Sequence, residues 1–306
     1  MKATSLSRRL SKVCRGRLAG PDLFFGRIAA AISPLPCITL RAVRLFSFLC
    51  HGLIAVVLTL LTQIGGVAYV MALLATKLWR RAGSPRWRRT VYLTVATLLV
   101  YTIASWAMPL LAANFDRVPV RCGATTKVAC LLNRAYLRST TITVVNKLDR
   151  DMASRFRHSH VTVLEGSFPL FDGFPLPPHL SHHDGRKVDL AYFYRDARGQ
   201  PIPRGSPSPL GYFHFQQPRP GDHEPCAGRF TPLRWDFAWL QPKEPAWGLD
   251  EERTRAMILW LKARPEVTRI FIEPHLADRL GVGGGKVRFQ GCQAARHDDH
   301  LHVEVQ

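Results

Sequence analysis

The chain ends in a run of titratable residues, RHDDHLHVEVQ, at residues 296–306. Alternate residues of a β-strand point to the same face, so we expect His300 and His302 to lie side by side. Two neighbouring imidazoles can bind one metal ion, or one of them can act as a base beside it. Such a site needs further ligands, which must come from another part of the chain.

A second titratable cluster, PHLSHHDGRKVDL, occupies residues 178–190. Asp189 stands in an apolar run, VDLAYFY, and a buried carboxylate needs a partner. A turn at Gly185 would bring His182 back to face Asp189. With one C-terminal histidine they form a set of three N/O ligands, which leaves a fourth position for water as in catalytic zinc sites. A zinc ion held there would polarise a carbonyl and activate water for hydrolysis.

Other polar residues of the two clusters have weaker spacing signals. His183 is an alternative ligand to His182, but the adjacent side chain points in a different direction, and it is six rather than seven residues from Asp189. We expect Asp184 and Asp298 to be solvated loop acids, because aspartate is rarely buried without a partner.

The two clusters taken together resemble the penicillin-insensitive murein endopeptidases. These belong to a group of zinc peptidases that includes lysostaphin-type enzymes, D-Ala-D-Ala carboxypeptidases and the hedgehog signalling domain. The matching motifs are SHHDGRKVD at residues 181–189 and DDHLHV at residues 298–303. The likeness extends over residues 161–306, apart from a Pro-rich segment. It implies a Zn²⁺ metallopeptidase whose substrate is a peptide of peptidoglycan.

The resemblance also implies roles for individual residues. The three implied zinc ligands are His182, Asp189 and His302. His300 would be the catalytic histidine beside the metal, and His297 and His179 would be further active-site histidines in supporting roles. Asp299 would orient a histidine by accepting its hydrogen bond.

The chain departs from the family pattern in three ways. The residues after Asp189 are LAYF where the family leads us to expect IW, the Pro/Gly-rich segment is long, and membrane spans replace a simple signal peptide. The scissile bond is therefore open. The alternative function is a non-catalytic zinc module that binds peptidoglycan or signals, and the spare histidine, His300, argues for the enzyme.

The elements that must position these residues indicate an α+β fold, an antiparallel sheet with a few helices. The clearest helix is 250–264, where acids come first and bases last. The other expected helices are 146–158 and 274–280. The expected strands are 161–165, 188–194, 268–272 (buried), 286–289 and 300–305. The run at 192–194 is expected in the core, and the Pro/Gly-rich residues 196–230 form a surface excursion or a substrate-facing loop.

The front of the chain indicates a membrane anchor. The net charge is +20, and most of it precedes residue 117. Charge-free runs at 45–76 and 90–115 each exceed the roughly 20 residues that cross a bilayer. They predict two or three transmembrane helices within 45–116. Basic residues beside spans are typical of cytoplasmic loops, so nucleic-acid binding is not needed to explain the charge.

Orientation follows from the basic loop at 77–89, which is expected in the cytoplasm. The zinc peptidase domain, 117–306, would then lie in the periplasm of a bacterium, anchored in the inner membrane. The basic N-terminal region, 1–44, is also cytoplasmic if the first run is a hairpin broken near 63–66. Alternatively translation starts at Met71. Signal-peptidase cleavage near residues 105–107 is a further alternative. No signal fixes the oligomeric state.

Four cysteines follow the last span, and an even number suits disulfides in an exported domain. We expect the pairs Cys122–Cys130 and Cys226–Cys292, because the first two are close in sequence. A cysteine zinc site is the rival interpretation, and the lack of a C-x-x-C motif counts against it.

Overall fold

The computed structural model describes residues 40–78, 85–237, 239 and 247–306. The chain divides into two units, 1–51 and 52–306, and each is described by itself. Of the first unit, the structure describes residues 40–51, which are helical. Most of the predicted N-terminal region and much of the basic loop lie outside the described residues.

The front of the described chain is helical. The helices are α1 (Leu40–Thr62), α2 (Gly65–Leu78) and α3 (Arg86–Ala112). The helix breaks near residues 63–66, as one of the alternatives requires, because α1 ends at Thr62 and α2 begins at Gly65. A Cβ on Gly66 would lie 1.9 Å from Thr59 Oγ1, so only glycine allows the two helices to meet this closely.

Among the described residues, two helical stretches are long and apolar enough to cross a membrane, Ala42–Thr62 and Trp87–Phe115. Their length and composition support membrane association. Helix α2, with 14 residues, is shorter than a full span.

The rest of the chain combines helices and strands. The helices are α4 (Lys127–Leu131), α5 (Ser139–Arg155), α6 (Glu251–Lys262) and α7 (Pro274–Arg279). The strands are β1 (Val118–Pro119), β2 (Tyr136–Leu137), β3 (Val163–Glu165), β4 (Lys187–Ala191), β5 (Tyr194–Arg195), β6 (Gly248–Leu249), β7 (Val267–Phe271), β8 (Val287–Arg288) and β9 (His300–Val305). The mixed α+β class is confirmed.

The main sheet of the described domain has the order β3-β4-β9-β7-β8. Its pairs are antiparallel except β7 and β8, which run parallel because α7 crosses between them. Apolar side chains of β4 and β9, such as Leu190 and Val303, point into a core that also contains residues of α5, α6 and α7. The opposite face of β4 and β9 therefore remains for polar residues.

Three expectations about elements need correction. Helix α5 begins at Ser139 rather than Asn146, because the β-branched run STTITVV is helical and buries Thr141 and Val144. The strand expected at 188–194 splits into β4 and β5, and its residues 192–194 are buried as expected. The strand expected to be buried at 268–272 is β7, in which Val267 and Ile270 are buried but Thr268 and Arg269 are exposed.

The Pro/Gly-rich segment is irregular, as expected from the sequence. Residues 196–230 are all described and contain no helix or strand apart from a single bridge at Pro201. Both expected disulfides, Cys122–Cys130 and Cys226–Cys292, are present. Among the described residues, none of these cysteines belongs to a group of possible metal ligands.

Candidate metal centre

The pairing of β4 with β9 brings two candidate ligands together. Asp189 lies directly opposite His302, and Ala191 lies opposite His300. Directly paired residues in antiparallel strands have Cβ atoms about 5 Å apart, so their side chains meet on one face. That face is opposite the core, because Leu190 and Leu301, the neighbours in each strand, are fully buried on the core side.

His182 reaches the same point from the loop before β4. Gly185 turns this loop with φ +71°, and a Cβ there would lie 2.9 Å from the Arg117 guanidinium. The imidazole Nδ1 donates to the carbonyl oxygen of Gly166 at 2.9 Å. That bond fixes the tautomer and leaves the Nε2 lone pair free for a cation.

The ligand atoms of the three residues converge. His182 Nε2 is 3.2 Å from Asp189 Oδ1 and 3.1 Å from His302 Nδ1. His302 Nδ1 is 2.8 Å from the same carboxylate oxygen. Zinc bonds of 2.0–2.1 Å in a tetrahedron place ligand atoms about 3.3 Å apart.

The donor set fits a metal ion. Two nitrogens and one carboxylate oxygen, all buried, point at one another within 4.8 Å. Two acceptor atoms, His182 Nε2 and Asp189 Oδ1, face each other and repel unless a proton or a cation lies between them. Two imidazoles and one carboxylate are ligands that zinc accepts.

Charges around the donor set favour an ionised aspartate. Burial raises the pKa of Asp189, but the nearby His182 and His300 lower it well below its usual value. Burial lowers the pKa of His182, and the Asp189 carboxylate outweighs this and raises it. A bound metal cation would displace the His182 proton.

The pKa values of His300 and His302 are shifted in opposite directions. Burial lowers the pKa of His302 to about 4, and the neighbouring His182 contributes to the same shift. Burial also acts on His300, but the negative charges of Asp299 and Asp189 outweigh it and raise the pKa to about 9. His302 is therefore neutral, as a ligand must be, and His300 is a cation.

His300 is held beside the donor set and does not belong to it. Its Nδ1 donates to Asp299 Oδ1, and its Nε2 lies 3.7 Å from Asp189 Oδ2. Asp299 also accepts from the backbone N–H of Phe213 at 2.5 Å. Asp299 thus orients the imidazole, as the resemblance implies.

His297 lies behind these two histidines. Its ring centroid is 4.9 Å from that of His300 and 5.6 Å from that of His302. Its backbone N–H donates to Glu273 Oε1 at 3.1 Å. Burial, together with the neighbouring imidazole of His300, holds the pKa of His297 well below its usual value. His297 is therefore a neutral neighbour of the site.

His179 belongs to a second group of possible ligands, with Glu165 and Asp189. Its Nδ1 is 2.6 Å from Glu165 Oε2 and 3.5 Å from Asp189 Oδ2. Glu165 also accepts from Arg134 Nε at 2.6 Å. Burial raises the pKa of Glu165, but His179 and Arg134 lower it overall. Because a cation already satisfies Glu165, the first group is the better metal site.

Two residues near the site are missed by sequence reasoning. Glu165 ends the apolar run VTVLE, and the argument that singled out Asp189 applies equally to it. Tyr212 comes from the Pro/Gly-rich segment, and its hydroxyl donates to Asp189 Oδ2 at 2.8 Å. No spacing pattern indicates Tyr212. Part of the segment therefore packs against the site.

The three weaker candidates, Asp298, Asp184 and His183, differ in burial and in their partners. Asp298 was expected in solvent, but it is fully buried because its carboxylate pairs with Arg296. Burial raises the pKa of Asp298 above its usual value. Asp184 is partly buried and pairs with Lys187 at 3.3 Å. His183 is exposed on the loop and lies outside both groups of possible ligands among the described residues.

Compared with known proteins, the chain matches no family model and no curated protein.

Proposed function

We propose that this chain is a membrane-anchored zinc metallopeptidase that hydrolyses peptide bonds in peptidoglycan. The observation that carries the proposal is the convergence of His182 Nε2, Asp189 Oδ1 and His302 Nδ1 within 3.2 Å of one another, with His300 beside them. Three ligands leave one position for water or substrate, which distinguishes catalytic from structural zinc sites.

The chemistry divides between the metal and the protein. Zinc would supply a Lewis acid that polarises the scissile carbonyl and activates water. His300, held by Asp299 through Nδ1, presents its Nε2 on the same face of the sheet as the donor set. It can donate a hydrogen bond to the oxyanion and a proton to the leaving amine. Tyr212 keeps Asp189 in its ligating orientation.

The supporting histidines act through their neighbours. His297 packs on His300 and keeps it from reorienting. His179 bonds to Glu165 and lies against the Tyr212 ring, with a centroid distance of 4.9 Å. In this proposal both are positioning residues, and His300 is the catalytic residue.

The choice of peptidoglycan, and of the bacterial periplasm, has three supports. The two motifs resemble those of murein endopeptidases, and the apolar helices suit an anchor in the inner membrane. Two disulfides suit an oxidising compartment such as the periplasm.

The test uses the full chain in detergent with a muropeptide digest as substrate, followed by mass spectrometry. We expect cleavage that a zinc chelator abolishes. His302→Ala should lose both zinc and turnover, whereas His300→Ala should keep zinc and lose turnover. His223→Ala, at an exposed histidine, is the control and should behave as wild type. Zinc bound with no turnover of any muropeptide would instead support the non-catalytic module.

A further inference from the structure

The loop that supplies two of the site histidines starts at the end of helix α3. This loop, residues 172–185, is called the site loop below. Just before it, the ring of Phe171 packs edge-on against Phe115, with centroids 5.6 Å apart. Phe115 is the last residue of the apolar stretch that contains α3. The first residue of the site loop, Asp172, forms an ion pair with Arg117.

Arg117 is fully buried, and the end of α3 fixes its position. Its backbone N–H donates to the carbonyl oxygen of Ala112, the last residue of α3, at 3.0 Å. Its guanidinium Nη1 donates to the carbonyl oxygens of Phe115 at 3.3 Å and Asp116 at 3.4 Å. The guanidinium is therefore held by the helix end as well as by the loop.

The same guanidinium also contacts the far end of the site loop. A Cβ on Gly185 would lie 2.9 Å from both Cζ and Nε of Arg117, so the guanidinium packs directly against this turn. From the outer side, Arg138 donates to Asp172 Oδ2 at 2.6 Å and to the carbonyl oxygen of Asp184 at 2.9 Å. Two arginines thus join the first and last residues of the loop, and Arg117 is the buried one.

The backbone of the site loop is closed at the same place. Gly173 N–H donates to the carbonyl oxygen of His183 at 3.0 Å, and within the loop His182 N–H donates to the carbonyl oxygen of His179 at 3.0 Å. Closing a flexible loop costs entropy, and a loop that is already closed loses less entropy when its ligand atoms bind a metal. The contacts of Arg117 therefore bear on metal affinity as well as on stability.

We propose that Arg117 is a positioning residue for the candidate metal centre. It fixes the site loop against the end of α3 and so holds His182 in place before a metal binds. The end of the apolar helix is then part of the scaffold of the site, in addition to its role as an anchor. This inference rests on the proposed function, because its measure is the affinity for zinc.

The test replaces Arg117 by Met in the full chain in detergent and measures the zinc Kd by competition with a chromophoric chelator. Methionine has a similar length but makes none of the hydrogen bonds. Asp172 is half-exposed and keeps Arg138 as a partner, so no buried charge is left alone. We expect the Kd to rise by about 10- to 100-fold, the range for loss of a residue that orients a metal ligand.

Arg253→Met is the matched control. Arg253 is also fully buried, and its acidic partner, Asp250, likewise keeps a second arginine, Arg195 at 2.8 Å. Arg253 donates to Ser159 Oγ and to backbone carbonyl oxygens outside the site loop. This variant should have a lower Tm and the zinc Kd of wild type.

Asp172→Ala opens the same contact from the exposed side, so it decides the question even if Arg117→Met does not fold. It should also raise the zinc Kd. Because both changes break one ion pair, the double variant should bind zinc no more weakly than Arg117→Met alone.

A wild-type chain that binds zinc, with an unchanged Kd in Asp172→Ala and Arg117→Met, would overturn this inference and leave the proposed function standing. Equal weakening by Arg117→Met and Arg253→Met would show a general loss of stability and overturn it as well. A wild-type chain that binds no zinc would overturn the proposed function and this inference together.

Discussion

Replacing Tyr212 by Phe removes one hydroxyl from the candidate metal site and leaves the ring in place. The hydroxyl donates to Asp189 Oδ2 at 2.8 Å, while Oδ1 of the same carboxylate faces His182 and His302. A hydrogen bond to a charged group contributes about 1.5–3 kcal/mol. Without it, Asp189 is free to rotate away from the ligating orientation.

The expected loss is one of metal affinity. Since about 1.4 kcal/mol corresponds to a factor of ten, the Kd for zinc should rise by roughly 10- to 100-fold. The same range is typical when a residue that orients a metal ligand is removed. The assay is a competition titration of the full chain against a chromophoric zinc chelator.

Tyr192→Phe is the matched control, because it also removes one tyrosine hydroxyl near the site. Its hydroxyl donates to the backbone carbonyl of His297 at 3.0 Å. That acceptor is neutral, so the change should lower the free energy of unfolding by about 1 kcal/mol and leave the zinc Kd unchanged. The reasoning would be refuted if Tyr212→Phe bound zinc like wild type, or if both variants weakened binding equally.

Three further predictions concern stability and the choice of metal site. Zinc at about 1,000 times its Kd should stabilise the chain by about 4 kcal/mol, seen as a higher Tm that His302→Ala abolishes. Replacing the cysteines of the Cys226–Cys292 disulfide, which are 66 residues apart, by serine should cost about 4 kcal/mol of unfolding free energy by denaturant titration. Glu165→Gln leaves Arg134 buried without its partner and should cost about 3–5 kcal/mol. The zinc Kd of this variant should stay unchanged. A large rise in that Kd would indicate that the metal binds at the other group, Glu165, His179 and Asp189.

Local sequence signals predicted much of the fold. Helix α6 was recognisable because acids precede bases along it. The structure adds a cap that was not predicted, Asp250, whose carboxylate accepts from Arg253 N–H at 3.1 Å. Helix α5 was recognised only in its second half. Its first turns are β-branched, which local propensity assigns to strands, and packing of Val144 and Val145 in the core overrides it.

The site was predictable where spacing alone determines geometry. The two-residue period of a strand placed His300 and His302 on one face, and a glycine turn returned His182 to Asp189. Spacing does not reveal which distant side chain satisfies a buried group. Tyr212 arrives from an irregular segment, and the burial of Asp298 depends on how Arg296 folds back onto it. Those contacts are made by the tertiary fold, and no periodicity encodes them.

The different pKa shifts of two histidines within one strand follow from their hydrogen-bond partners rather than from residue type. His300 and His302 have the same side chain, the same strand and the same face. His302 turns Nδ1 towards Asp189, and burial holds its pKa near 4, so it offers a lone pair to a cation. His300 turns Nδ1 towards Asp299, which helps to raise its pKa to about 9, so it offers a proton. Asp299, together with Asp189, therefore keeps the pKa of His300 raised against the effect of burial.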